Sequence, residues 1–303
     1  MKTMITFKQF LFESGNATKQ WGTVRATKAD IEAALKFVAD HSRLPLKLLK
    51  DNLLGSTELT LLDKKQDSGD IDVAIKKTDY SFEDLDTELA KAVNDERKWS
   101  SGTQVASYAV PVGKGKKVQF DLMFVNSNDW AKFAYYSGEG HTSKYKGAVR
   151  NILLATVARY KQVPGEDFVA LDDNGDLLAR ASRSWKMDTG LERLFKITKT
   201  GPRGGKKEEK VSPKELKDYL IDLDPKYKSV KFAEKADVID DPDEVAKHLF
   251  GSSIKAKDIM TVEQVLALIA DPKYVSASEK TKIIDDAKEA LAKTGMDLPP
   301  ELK

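Results

Sequence analysis

The chain has 303 residues, enough for one large or two medium domains, and its 41% apolar content is sufficient for real hydrophobic cores. Fifty Lys and Arg against 48 Asp and Glu leave a formal net charge of +2, which excludes a globally basic nucleic-acid coat protein and limits any nucleic-acid contact to a local patch. The absence of cysteine excludes disulfides, thiolate zinc sites and cysteine nucleophiles, and it fits a reducing compartment.

The first eleven residues do not have the pattern of an export signal. Their apolar part is too short and too charged, and no stretch of about twenty apolar residues occurs in the chain. We therefore expect a soluble, cytoplasmic protein with no membrane partner. Further along, Thr27-Lys-Ala-Asp30 matches a capping box and predicts a helix, and residues 81 to about 96 predict another.

Two carboxylates alternate with apolar residues in the segment 67–75. Residues two apart in a strand point the same way, so Asp70 and Asp72 share one face while Ile71 and Val73 turn into the core. Two anions on one face repel each other unless a cation lies between them, and Mg²⁺ is the hard, oxygen-seeking ion that fits this role. The pattern Asp-x-Asp is also common on the solvated face of an edge strand, so that alternative stays open.

A third carboxylate lies on the second arm of a predicted hairpin. Residues 104–110 and 118–125 are strand-like and flank the turn-forming Gly113-Lys-Gly115. Asp121 falls on one face of the second strand with Gln119 and Met123, and a sheet can bring it beside the other two carboxylates. The opposite face carries Val118, Phe120, Leu122 and Phe124.

A small-residue turn precedes the carboxylates along the chain. Leu53-Leu54 ends an apolar run at Gly55-Ser56, where backbone N–H groups can approach an anion closely. Together, these segments resemble the signature of the polymerase-β-like nucleotidyltransferase superfamily: a hydrophobic residue, Gly, Gly or Ser, a spacer, Asp-hydrophobic-Asp, and a later Asp on a neighbouring strand. The signature positions are Leu54, Gly55, Ser56, Asp70, Asp72 and Asp121.

The resemblance covers about residues 28–160, and it implies both a fold and a reaction. The fold is α+β, with a mixed sheet that carries the carboxylates between flanking helices. The reaction moves a nucleoside monophosphate from a nucleoside triphosphate to an acceptor hydroxyl, with two Mg²⁺ or Mn²⁺ ions and release of pyrophosphate. In this assignment Asp70 and Asp72 hold both ions, Asp121 holds the ion near the attacking hydroxyl, and Gly55 and Ser56 hold the terminal phosphates.

A basic patch follows the predicted hairpin. A Gly-rich turn at 138–142 runs into an amphipathic helix that ends near Tyr160, and Ser143 suits its N-cap. Lys146 and Arg150 lie four apart on one helix face, and we interpret them with Ser143 as nucleotide-binding residues. The alternative is an ordinary capped helix with a solvated basic face. The aromatic residues at 130, 133, 135 and 136 suit core packing better than stacking on a base.

The rest of the chain reads as a hairpin and a helical region. Asn174-Gly175 predicts a hairpin between residues 168–171 and 177–180. Residues 198–211 read as a flexible, mostly basic linker or loop, and four helix-start patterns follow, beginning at Ser212, Asp241, Thr261 and Ser276. The predicted organisation is a nucleotidyltransferase domain at 1–197, a linker at 198–211 and a helical C-terminal domain at 212–303.

The signature does not identify the acceptor. An RNA end such as a tRNA 3′ terminus, a protein and a small molecule all stay open, and so does a non-catalytic nucleotide- or RNA-binding module on the same fold. The three intact carboxylates argue against the module. The opening residues are also similar to the start of many tailed-phage proteins, which implies expression in the cytoplasm of an infected bacterium.

Overall fold

The computed structural model describes residues 17–101, 104–136, 147–200, 205–294 and 299–302. It divides into two compact units: unit 1 comprises residues 1–148, 187–189 and 292–296, and unit 2 comprises residues 149–186, 190–291 and 297–303. Both units combine helices with a sheet, so the α+β class is confirmed. None of the helices in the described ranges has the length and apolar character needed to cross a membrane.

Unit 1 contains the segments on which the signature lies. Its strands are β1 (Thr23–Val24), β2 (Ala26–Thr27), β3 (Asp67–Ser68), β4 (Ile71–Lys76), β5 (Arg97–Ser100), β6 (Val105–Gly113) and β7 (Lys116–Val125). Its helices are α1 (Lys28–His41), α2 (Leu46–Asp51), α3 (Gly55–Leu61), α4 (Phe82–Ala92) and α5 (Asn128–Ala134). The predicted capping box of α1 is present, since the Asp30 side chain accepts from the Thr27 amide at 2.9 Å.

Strand β7 is the centre of the unit 1 sheet. It runs parallel to β1 at its start and parallel to β4 along the rest, and its other edge pairs antiparallel with β6, which pairs with β5. The predicted hairpin is therefore confirmed. The face of β7 that carries Val118 and Phe120 is buried against α1 and α4, which leaves the face with Gln119 and Asp121 for the site.

Unit 2 is built around an antiparallel sheet. Its strands are β8 (Phe168–Leu171), β9 (Leu177–Lys186), β10 (Gly190–Thr200), β11 (Lys206–Lys210) and β12 (Val238–Ile239). Its helices are α6 (Gly147–Tyr160), which begins in unit 1, α7 (Pro213–Leu223), α8 (Pro242–Phe250), α9 (Val262–Ala270) and α10 (Ala277–Thr294), which ends in unit 1. The sheet order is β11-β10-β9-β8, with β12 on the start of β10, so the hairpin predicted around Asn174-Gly175 is present.

The predicted linker at 198–211 is wrong for its described residues. Residues 198–200 end β10, and β11 pairs with them antiparallel. Charged side chains of both signs occupy this edge, and Lys199 lies 2.7 Å from Glu209. A charged edge strand lacks the apolar alternation by which a strand is recognised in a sequence, and this is why the segment looked like a linker. The compact units divide at residue 148, and the four predicted helix starts correspond to α7–α10.

Candidate metal site

Parallel pairing of β4 with β7 brings the three carboxylates together. Asp72 and Asp121 are direct partners in this pairing, and Asp70 lies two residues before Asp72, so all three side chains face the same way. One oxygen from each carboxylate lies within 4.8 Å of the others. The three residues that the sequence singled out are therefore adjacent in space, although Asp121 is 49 positions away from Asp72 along the chain.

Burial makes the charge of this cluster unfavourable. Asp70 is 8% exposed and Asp121 is 4% exposed, so the alternative of a solvated strand face does not fit. Burial raises the pKa of Asp72 well above its usual range, and the charges of Asp70 and Asp121 add to the shift. Burial and the charge of Asp70 raise the pKa of Asp121 to about 7, against the opposing effect of Gln119 and Ser107. A cation between the carboxylates would remove these penalties.

Gln119 orients the Asp121 carboxylate. Gln119 Nε2 donates to Asp121 Oδ2 at 3.0 Å, while Gln119 Oε1 accepts from the Thr18 amide and hydroxyl, each at 3.2 Å. The two donors from Thr18 fix the direction of the amide, and both Thr18 and Gln119 are buried. Asp121 Oδ1 is also buried, and among the described residues it has no hydrogen-bond partner of normal geometry. One oxygen is thus held while the other is available to a ligand.

Gly55 and Ser56 begin a helix beside these carboxylates. The Leu54 amide donates to the Asp72 carbonyl at 2.9 Å, which holds the chain against β4 just before α3 starts. Gly55 has φ of 59°, in the left-handed region that favours glycine, and a Cβ at this position would lie 3.8 Å from Asp72 Oδ2. Ser56 Oγ lies 2.6 Å from Ser68 Oγ. The predicted phosphate grip is therefore next to the Asp72 carboxylate.

The sequence interpretation missed several residues around the site. Thr57 Oγ1 donates to the Asp70 carbonyl at 3.1 Å and accepts from the Asp72 amide at 3.2 Å, which joins α3 to the carboxylate segment. Burial and the charges of Asp72, Asp188 and Asp121 raise the pKa of Tyr135 well above its usual range, whereas Trp130 and Phe133 are core residues as expected. Alternation along β7 placed Gln119 on the face of Asp121 without indicating its role, and nothing local indicates Thr57.

The basic patch is a different case. Ser143 and Lys146 lie outside the described residues. Arg150 does not lie on a solvated face: it is 1% exposed, Nη1 donates to the Met260 carbonyl at 3.3 Å and Nη2 donates to Asn151 Oδ1 at 3.2 Å. The alternative of a solvated basic face does not fit Arg150, because α6 is buried on most of its surface and its apolar stripe did not mark a single inward face. The interpretation of Arg150 as a nucleotide-binding residue stays a prediction.

Comparison with known protein families, curated proteins and solved structures finds no match to this chain.

Proposed function

We propose that this protein is a metal-dependent nucleotidyltransferase that moves a nucleoside monophosphate from a nucleoside triphosphate to an acceptor hydroxyl and releases pyrophosphate. The observation that carries the proposal is the convergence of Asp70, Asp72 and Asp121, with one oxygen from each within 4.8 Å of the others. The position of Gly55 beside Asp72 Oδ2 supports it, because the turn that we propose to hold the phosphates then lies next to the carboxylates.

The donor set fits a hard divalent ion. All three side chains offer carboxylate oxygens, which Mg²⁺ and Mn²⁺ prefer. Asp121 Oδ1 is buried and has no hydrogen-bond partner among the described residues, which is the condition of an oxygen that a cation completes. Two ions bound here would supply Lewis-acid stabilisation to both the attacking and the leaving oxygen.

The protein's own residues position this chemistry. Asp70 and Asp72 would hold both ions from one strand, and Asp121 would hold one ion through Oδ1 while Gln119 keeps Oδ2 in place. Thr57 ties the start of α3 to the backbone of residues 70 and 72, so the Gly55-Ser56 turn keeps its position relative to the carboxylates. Gly55 has a positive φ that favours a residue without a side chain, so its backbone can approach a phosphate closely.

The acceptor that we propose to test first is an RNA 3′ hydroxyl, with a protein and a small molecule as the other arms. Purified protein is incubated with each α-labelled nucleoside triphosphate, Mg²⁺ or Mn²⁺, and either total RNA, protein or small-molecule extract. We expect label to move into one fraction. Asp72→Ala is expected to abolish transfer, while Asp84→Ala, which removes a carboxylate 58% exposed on α4, is expected to retain it.

Two outcomes would contradict the proposal. Undiminished transfer by Asp72→Ala at saturating metal would show that the carboxylate cluster is not required for the reaction. Triphosphate binding by the wild type without transfer to any fraction would favour the non-catalytic binding module instead.

A further inference from the structure

Arg25 lies at the edge of the carboxylate segment. It connects β1 to β2, and β2 pairs with β3 immediately before Asp70. Arg25 Nε donates to Asp67 Oδ1 at 2.9 Å, and Nη2 lies 2.8 Å from the same oxygen. The two side chains are 57% and 36% exposed, and exposed ion pairs of this kind contribute little to stability. The pair can therefore open at small cost.

The third nitrogen of Arg25, Nη1, lies close to Gly69, the residue that precedes Asp70. A Cβ at Gly69 would lie 3.6 Å from Arg25 Nη1, so the guanidinium rests against the backbone next to Asp70. Ser68, the preceding residue, contacts the Ser56 hydroxyl with its own at 2.6 Å. Arg25 Nη1 and Ser56 Oγ thus lie beside consecutive residues of one short segment, and the atoms of Arg25 that contact Asp67 are Nε and Nη2.

The charge of the substrate favours a change of partner. A nucleoside triphosphate brings about four negative charges, and the planar guanidinium fork matches phosphate oxygens in a bidentate way. A single exposed carboxylate is the weaker competitor for this fork. Binding of cations by Asp70 would also weaken the attraction that Asp70 exerts on Arg25.

We propose that Arg25 binds the terminal phosphates of the nucleoside triphosphate, leaving Asp67 when the metal-loaded site fills. Ser56 and Arg25 then hold the phosphates from neighbouring positions along residues 68–69. Because Arg25 acts on the substrate of the proposed transferase, its role depends on that proposed function. In the competing explanation, Arg25 only neutralises Asp67 and stabilises the pairing of β2 with β3.

The test uses magnesium tripolyphosphate as the probe, which needs no knowledge of the base, followed by each magnesium nucleoside triphosphate. Affinity is measured by calorimetry for the wild type, Arg25→Ala, Asp67→Asn and Arg43→Ala. Arg43 is the matched control, since it is 53% exposed and paired with Glu88. We expect Arg25→Ala to weaken tripolyphosphate binding by about tenfold or more, Asp67→Asn to strengthen it, and Arg43→Ala to leave it unchanged.

The variants separate the two explanations by the direction of the change. If Arg25 binds phosphate, Arg25→Ala and Asp67→Asn change the affinity for tripolyphosphate in opposite directions. If the ion pair is only structural, both variants lose affinity equally, and that result would overturn the inference. Mn²⁺ affinity without phosphate should not fall in Arg25→Ala. If Arg25→Ala binds tripolyphosphate as tightly as the wild type and still transfers nucleotide, the inference is wrong and the proposed function is unaffected. A wild type that binds Mn²⁺ but neither tripolyphosphate nor any nucleoside triphosphate would defeat the proposed function as well.

Discussion

The two units bury charge in opposite ways. In unit 1, Asp70, Asp72 and Asp121 converge, and burial together with the other carboxylates raises the pKa of Asp72. In unit 2, Arg193 is 3% exposed, and its Nη1 lies 2.8 Å from Asp167 Oδ1 while its Nε lies 3.3 Å from Asp237 Oδ1. The second arrangement balances its own charge within the fold. The first concentrates like charges, an arrangement that a bound cation would stabilise.

Two carboxyl groups illustrate this difference through their pKa values. Glu208 in unit 2 is surrounded by cations, with Arg180 Nε at 2.9 Å and Lys196 Nζ at 3.4 Å, and these cations lower its pKa to about 2 against the effect of burial. Burial and Asp70 raise the pKa of Asp121 to about 7. Neighbouring cations thus lower the pKa of a buried acid and neighbouring carboxylates raise it, and strongly raised values are typical of functional sites.

The largest effect is expected from breaking the balanced cluster. Arg193→Ala leaves Asp167 without its closest cation in a site where both side chains are 1% exposed, and it also removes a contact to Asp237. Removing one partner of a buried pair strands the other charge, so we expect a loss of about 3–5 kcal/mol in the free energy of unfolding. Hydrogen exchange measured by mass spectrometry in urea would place this loss in unit 2.

Arg43→Ala provides the matched control in unit 1. Arg43 has two carboxylate partners, Glu88 at 2.7 Å and Asp84 at 3.4 Å, but its side chain is 53% exposed. We expect little or no loss in the free energy of unfolding, because solvent screens an exposed ion pair. Equal losses in the two variants would contradict the distinction between buried and exposed pairs on which the comparison rests.

The second prediction concerns pH. The folded pKa of Asp121, about 7, lies above its ordinary value of 3.8, so its contribution to stability is complete below about pH 4 and is lost as pH rises through 7. For Glu208 the pKa falls from 4.5 to about 2, so its contribution is present above pH 4.5 and is lost as pH falls through 2. Without metal, we expect unit 1 to lose about 2–4 kcal/mol between pH 4.5 and 7.5.

The measurement is urea unfolding at pH 4.5, 6 and 7.5, with a chelator and with Mg²⁺, followed by hydrogen exchange in each unit. Mg²⁺ binds the deprotonated carboxylates, so it should remove the loss at high pH. Asp121→Asn should flatten the profile measured with the chelator. A flat wild-type profile under chelation would contradict the raised pKa of Asp121.

Local sequence patterns predicted the strands that carry the carboxylates better than they predicted the residues around them. Alternation placed Asp70 and Asp72 on one strand face, and the Gly113-Lys-Gly115 turn placed Asp121 on a hairpin arm, because both signals act over a few residues. The direct pairing of Asp72 with Asp121 depends on parallel strands far apart in sequence, so local patterns allowed the two carboxylates to meet in one sheet but did not fix which residues pair.

Charged residues were the main source of error. The alternative of a solvated helix face does not fit Arg150, because its guanidinium donates to Met260 and Asn151, and Met260 lies 110 residues away along the chain. The hydrophobic pattern cannot show that a charge is compensated by a distant partner. For the same reason, the hydrophobic pattern did not reveal the buried Arg193 cluster or the charged strand β11, where lysines and glutamates form cross-strand pairs.

The third prediction reverses the sign of the first. Asp72→Asn removes one of three converging charges while keeping the shape of the side chain, so we expect the metal-free protein to gain about 1–3 kcal/mol at pH 7.5. The stabilisation that Mn²⁺ gives to the wild type should disappear. Asp84→Asn, on an exposed position of α4, should change neither quantity. A metal-free Asp72→Asn protein less stable than the wild type would indicate that the carboxylate has a structural partner.

The smallest effect is expected from loosening a ligand without removing it. Gln119→Leu takes away the donor to Asp121 Oδ2 at 3.0 Å, so the carboxylate loses the contact that directs Oδ1. Loss of such an orienting contact lowers metal affinity by about 10–100-fold. Mn²⁺ affinity, measured by electron paramagnetic resonance in protein whose fold is checked by circular dichroism, reports this change.

Met123→Leu is the control for Gln119→Leu, because Met123 lies on the same face of β7, two residues after Asp121, and is 5% exposed. This substitution nearly conserves volume and changes packing without touching the hydrogen bond to Asp121. It should therefore bind Mn²⁺ as the wild type does. If both variants lose affinity equally, the packing of the β7 face orients Asp121 and Gln119 has no separate role. If only Gln119→Leu loses affinity, the amide held by Thr18 orients the carboxylate toward its ion.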